Sequence, residues 1–209
     1  MKAVFTCGGT GGHINPALAV ARVLLERRPD SEILFVGAED GMEATLVPRE
    51  GFRLETLQIS SYMRSLKPSA IRHNVRAALS IRRALKKADR IIRDFQPDVI
   101  LGTGGYASYP MLHEGARLGI PTAVHESNAV PGLATKMVAD KVDRILVSFA
   151  DSRSAYRDPS RVIAVGMPVR EEFVFTRRAD ARRALGLDEK TPMIVSAWGS
   201  LGAREMNKK

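Results

Sequence analysis

Short apolar runs alternate with helical patterns along this chain, and the alternation starts at the first residue. Residues 2–6 (Lys2-Ala3-Val4-Phe5-Thr6) read as a buried strand, and residues 16–28 carry apolar positions at helical spacing, with Pro16 suited to the first turn. Strands follow at 33–37, 52–57, 99–102, 122–124, 144–148 and 161–165. Helices fall between them at 42–47, 69–95, after the turn at 103–108, and at 131–139. A last helix at 180–187 and a strand at 193–196 begin the pattern again. The strands lack a polar face, which predicts a parallel sheet covered by helices on both sides, an α/β fold. In the long helix, Ile71, Val75, Ala78, Leu85, Ala88, Ile92 and Phe95 form a stripe that can pack on such a sheet.

Three glycine-rich turns stand where a strand gives way to a helix: Gly8-Gly9-Thr10-Gly11-Gly12-His13, Thr103-Gly104-Gly105-Tyr106-Ala107-Ser108, and Trp198-Gly199-Ser200-Leu201-Gly202-Ala203. Bare N–H groups at a helix N-terminus can hold an anion, usually a phosphate. The plain alternative is a tight turn with a helix-capping residue. The first turn matches neither common phosphate loop, since no Lys-Ser/Thr follows and the glycines do not fall as G-x-G-x-x-G. His125-Glu126-Ser127-Asn128 puts polar residues at another strand's carboxyl end, either as a site or as a brace between loops. Ligands of parallel α/β sheets sit outside those carboxyl ends. Gly166-Met167-Pro168-Val169-Arg170 reads as an interdomain crossing, dividing 1–165 from 166–209.

With 209 residues, 44% apolar and 26% charged, the composition is that of a globular protein. No apolar run approaches the roughly 20 residues that span a bilayer. Met1 leads straight into a strand, so no signal peptide is expected, and the location expected is cytoplasmic. Cys7, the single cysteine, suits a small buried residue, and no metal-ligand cluster is predicted.

Charge changes the picture more. Residues 64–93 hold ten basic side chains, among them Lys67, Arg72, Arg76, Arg82 and Arg83, against one acid, Asp89. That segment alone accounts for the whole chain's net charge of +9 and asks for an anionic partner. Residues 72–93 contain no aromatic except His73, which argues against nucleic acid. Leu66, Ile71, Leu79 and Ile81 lie among the charges, a mixture suited to an anionic lipid surface, although a solvated helix face explains it too. A nicotinamide-dependent oxidoreductase would need a different glycine spacing and an acidic ribose clamp, and Asp40 is the nearest carboxylate.

The three turns, the His-Glu-x-Asn strand end and the Gly-x-Pro-Val-Arg crossing, in this order along the whole chain, resemble the MurG family of N-acetylglucosaminyltransferases. The resemblance implies the GT-B glycosyltransferase fold, a Rossmann-like N-domain with only the start of a second Rossmann-like domain. It implies transfer of N-acetylglucosamine from UDP-N-acetylglucosamine to the C4 hydroxyl of lipid I, with inversion, giving lipid II at the cytoplasmic face of the cell membrane. His13 is then the general base, and the positive end of the helix dipole suits an uncharged ring there. Thr10, Gly11, Gly12, Asn128, Arg170 and Ser200 are implied donor contacts. Gly9, Gly104, Gly105 and Tyr106 are implied to face the acceptor diphosphate, and the basic segment to face the membrane. No cofactor is implied as required, with room left for a loosely bound Mg²⁺. Two residues depart from the family pattern: Met167 replaces an asparagine, and Trp198 replaces a glycine, which weakens the role of Ser200. Family members run well beyond residue 209, so the resemblance implies the acceptor half of an enzyme with little activity alone. Another GT-B sugar-nucleotide transferase, or a non-enzymatic basic membrane-surface module, is the alternative.

Overall fold

The computed structural model describes residues 1–60 and 68–195, and for residues 68–76 the backbone alone. It divides into two units, Met1–Pro168 and Val169–Lys209. Among the described residues the first contains seven strands: β1 (Lys2–Thr6), β2 (Glu32–Ala38), β3 (Arg53–Leu57), β4 (Val99–Gly102), β5 (Thr122–Glu126), β6 (Arg144–Val147) and β7 (Val162–Ala164). Between them run α1 (Gly11–Arg27), α2 (Glu43–Arg49), α3 (Pro68–Phe95), α4 (Ser108–Arg117) and α5 (Leu133–Val138), with two 3₁₀ turns at Ala150–Ala155 and Pro159–Arg161.

All seven strands pair in parallel in the order β3-β2-β1-β4-β5-β6-β7. The chain builds outward from β1 through β2 to β3, then crosses back over α3 to lay β4 on the other side of β1. The order therefore reverses between β1 and β4, and the carboxyl ends of those two strands flank the crevice where parallel α/β sheets bind ligands. Both are followed by glycine turns.

Alternate residues of β1 serve opposite layers, as a period of two requires. Ala3, Phe5 and Cys7 pack with Ile14, Ala17, Leu18 and Ala21 of α1, and Phe5 stacks on Phe35 with ring centroids 5.3 Å apart. Val4 joins the opposite layer, where Ala84, Ala88 and Ile92 of α3 and Met111 and Leu112 of α4 cover the sheet. Each large apolar side chain sealed in this way contributes about 1.5–3 kcal/mol.

Three expectations need correction. Helix α1 begins at Gly11, so Pro16 lies inside it and buried rather than at its first turn. The missing N–H of Pro16 faces the carbonyl of Gly12, one turn back, so the helix loses a single bond near its start. In α3 the buried position is Ala77, and Ala78 is exposed, an offset of one residue in the helical period. Leu79 is 58% exposed. Finally, residues 193–195 form no strand: Ile194 is 94% exposed and has no neighbouring strand in its unit among the described residues. Among the described residues that second unit contains two short helices, α6 (Glu171–Phe175) and α7 (Arg178–Ala184).

Candidate functional site

The two glycine turns meet main chain to main chain. Gly9, Gly104 and Gly105 all have positive φ (87°, 99° and 80°), a backbone region open to glycine at little cost. A Cβ on Gly105 would overlap the Gly8 carbonyl and lie 2.9 Å from its carbon. A Cβ on Gly104 would lie 2.8 Å from Cδ2 of His13, so the imidazole edge occupies the space that this missing side chain leaves. Thr103 fastens the arrangement by donating its hydroxyl to the His13 carbonyl at 2.6 Å.

His13 sits in the first turn of α1. The carbonyl of Thr10 accepts from the N–H groups of His13 (3.0 Å) and Ile14 (3.2 Å), while the amides of Gly11 and Gly12 have no acceptor within the helix. Thr10 precedes the helix in an extended conformation and makes no side-chain cap. Its hydroxyl lies 3.2 Å from Nδ1 of His13 instead. The same Nδ1 is 3.1 Å from the Gly8 carbonyl oxygen. A carbonyl can only accept, so Nδ1 is assigned the proton and Nε2 keeps its lone pair.

His13 opens onto a cavity of about 280 Å³ that Gly104, Gly105, Tyr106 and Asn128 also line. Ile59, Ile81, Leu133 and Met137 make the rest of its wall largely apolar. Burial pushes the Tyr106 phenol up from its ordinary value, with further upward pushes from Glu43 and Asp40. Across the cavity, Glu126 is only 3% exposed and braces the loop after β5. One of its oxygens accepts from the backbone N–H (2.9 Å) and side-chain amide (2.7 Å) of Asn128, and the other from the Gly132 N–H (2.9 Å). Burial pushes this carboxyl upward, but hydrogen bonds from Thr135, Asn128 and Gly132 outweigh that and hold it below its ordinary value. His125 lies 1% exposed behind it, donating Nε2–H to the Gly166 carbonyl at 3.0 Å.

The structure thus gathers His13, Gly104, Gly105, Tyr106 and Asn128 around one cavity, with Gly9, Thr10, Gly11 and Gly12 on the turn that carries His13. Arg170 belongs to the second unit, where it pairs with Glu172 at 3.4 Å. Arg82 and Arg83 are exposed on α3. Ser200, Trp198, Lys67 and the side chains of Arg72 and Arg76 lie outside the described residues. One participant escapes sequence reading: Glu43, wholly buried, accepts from the N–H groups of Gly9 (3.1 Å) and Ala38 (2.6 Å).

The pattern of the glycosyltransferase family 28 N-terminal domain matches residues 3–147. The UDP-N-acetylglucosamine–N-acetylmuramyl-(pentapeptide) pyrophosphoryl-undecaprenol N-acetylglucosamine transferase of Acetivibrio thermocellus is 41% identical over 99% of this chain and 55% of its own length. That of Clostridioides difficile is 35% identical over 99% of this chain and 50% of its own. The chain spans about half the length of the curated relatives it matches. Among solved structures, MurG of Acinetobacter baumannii superposes with a TM-score of 0.64 at 24% identity, covering 81% of this chain and 46% of that one. The UDP-GlcNAc 2-epimerase of Methanocaldococcus jannaschii follows at 0.57 and 12%, covering 80% and 46%. These likenesses give the fold, the Rossmann-like N-terminal half of the GT-B architecture, and a fold shared by a transferase and an epimerase does not choose a reaction.

Proposed function

The chain belongs to the glycosyltransferase family 28 N-terminal domain family, and from that premise we propose that it provides the acceptor-binding half of a peptidoglycan N-acetylglucosaminyltransferase. The sugar donor is UDP-N-acetylglucosamine and the acceptor is lipid I, an undecaprenyl-diphosphate-linked muramoyl peptide. Relatives at 35–41% identity along the whole chain, named for that reaction, support the reading.

His13 is the residue the geometry supports as general base. Nδ1 is committed to the Gly8 carbonyl, so Nε2 is the nitrogen left to take a proton. As the C4 hydroxyl oxygen of the acceptor bonds to the anomeric carbon, its proton passes to Nε2 and the bond from that carbon to the UDP oxygen breaks. The attack comes from the face opposite UDP, hence inversion. The bare backbone of Gly9, Gly104 and Gly105 suits the acceptor diphosphate, and the amides of Gly11 and Gly12 at the start of α1 suit the donor. The apolar wall formed by Ile59, Leu133 and Met137 suits the start of a lipid chain. Arg82 and Arg83, with exposed Leu79 close by in sequence, would rest on the anionic cytoplasmic face of the membrane.

The single observation that carries the reading is the placement of His13, from the end of the first glycine turn, and of Gly104 and Gly105 from the second around one cavity. Its test is transfer of labelled N-acetylglucosamine from UDP-N-acetylglucosamine to a short-chain lipid I analogue by the protein expressed from its own gene to its stop codon. His13→Ala should lower kcat by about 10²–10⁴-fold with little change in KM. Unchanged turnover removes His13 as base, and epimerisation of the donor without transfer replaces the reaction.

A further inference from the structure

Glu43 opens α2 wholly buried, in a slot that three glycines leave open. A Cβ on Gly8 would lie 2.5 Å from its Oε1, one on Gly37 would lie 3.1 Å from its carboxyl carbon, and one on Gly41 would overlap both oxygens. Inside the slot Oε1 accepts from the Ala38 N–H at the end of β2, and Oε2 from the Gly9 N–H. The Gly9 N–H and the Gly8 carbonyl belong to the same peptide unit. On its other side that carbonyl accepts from Nδ1 of His13 at 3.1 Å. A carboxylate, a peptide and an imidazole therefore stand in one hydrogen-bonded line.

We propose that Glu43 is a positioning residue for His13, acting through the Gly8–Gly9 peptide. The carboxylate fixes the plane of that peptide, so its oxygen faces the ring. An amide whose N–H is hydrogen-bonded to an anion is also a stronger acceptor at its carbonyl, because linked hydrogen bonds polarise one another. Both effects select the ring form with hydrogen on Nδ1 and a lone pair on Nε2. The arrangement does the work of the carboxylate that orients the histidine of a hydrolase triad, with one peptide interposed. When Nε2 accepts a proton, the charge gained by the ring is answered along the same line, ending on the carboxylate. The use of Nε2 in transfer rests on the reading of His13 as base, but the selection of the ring form does not.

The experiment is ¹⁵N NMR of His13 in the ligand-free chain, which distinguishes Nδ1–H from Nε2–H directly, in wild type and in Glu43→Gln. Wild type should show the Nδ1–H form alone. Glu43→Gln keeps the shape but sets an amide NH₂ against one of the two backbone N–H groups, and should show both forms. A purely structural Glu43 would lower the melting temperature of Glu43→Gln while leaving the Nδ1–H signature intact, and that result overturns the proposal. So does a wild-type His13 carrying its proton on Nε2. If Glu43→Gln does not fold, Glu43→Asp is read instead: drawing the carboxylate back by one methylene should admit the second form, and an unchanged signature again overturns the proposal. A protein with the Nδ1–H signature that transfers no sugar fails the enzymatic reading and leaves the positioning role standing.

Discussion

Gly105 lies against Gly8 so closely that a methyl group on its Cα would overlap the Gly8 carbonyl. Gly105→Ala therefore meets two costs. Positive φ takes about 1–2 kcal/mol from a residue with a Cβ, and overpacking adds about 1–3 kcal/mol. Gly51 separates them, since it has a φ of 82° and, among the described residues, nothing within 4 Å of the place a Cβ would take. In urea denaturation Gly51→Ala should lose only the first amount and Gly105→Ala the sum. Equal losses would mean that the two turns are not in contact.

Glu126 predicts an acid-sensitive term in stability. Its carboxyl is held below the ordinary value of 4.5, so the folded chain takes up its proton less readily than the unfolded one. The stabilisation is complete above about 4.5 and is lost as pH falls toward the folded value. Melting curves across that range should fall more steeply for wild type than for Glu126→Gln, which is less stable at neutral pH but lacks this slope.

His125 gives a second term in another range. Burial holds its imidazole below the ordinary 6.5, against the opposing pull of its bond to Gly166 and of the Glu126 charge. The folded state thus prefers the neutral ring, and stability should decline as pH drops below about 6.5 until the folded value is reached. Its Nδ1 has no partner among the described residues, so the neutral ring already forgoes one hydrogen bond. His125→Phe should flatten the decline between those limits in a pH series of melting temperatures.

Arg82 and Arg83 test the membrane contact. Each basic residue at an anionic surface contributes about 1 kcal/mol, so Arg82→Ala/Arg83→Ala should weaken binding to phosphatidylserine vesicles roughly thirtyfold, a figure obtained from about 2 kcal/mol. Neutral phosphatidylcholine vesicles should not distinguish the two proteins in a sedimentation assay, and added salt should shrink the difference. Equal sedimentation with anionic vesicles would return this helix face to plain solvent.

The strands were legible because a strand buried on both faces is an unbroken apolar run, as in Ile33-Leu34-Phe35-Val36 and Val99-Ile100-Leu101. The glycine turns were legible because few other uses place Gly-Gly at the end of such a run. The start of α1 was not, since glycine is a poor helix former and Pro16 marks a first turn by rule. Tertiary contact decides it: the Thr103 hydroxyl holds the His13 carbonyl from 90 residues away. Glu43 was hidden for a related reason, its partners being backbone amides, one of them 34 residues distant. The faint signal was the pair Gly37 and Gly41 around an otherwise ordinary acid. Of the strand expected at 193–196, the described residues 193–195 show the converse case, because apolarity without a sheet neighbour does not make a strand.

A contact surface written in main-chain atoms also limits how the protein can evolve. At Gly8, Gly104 and Gly105 any replacement adds a Cβ that collides with Glu43, with His13 or with the facing turn. These positions have almost no neutral mutational neighbours. A compound that gripped their amides and carbonyls would leave few routes to resistance, whereas one held by the side chains of Ile59, Leu133 and Met137 across the cavity could be escaped by an ordinary apolar exchange.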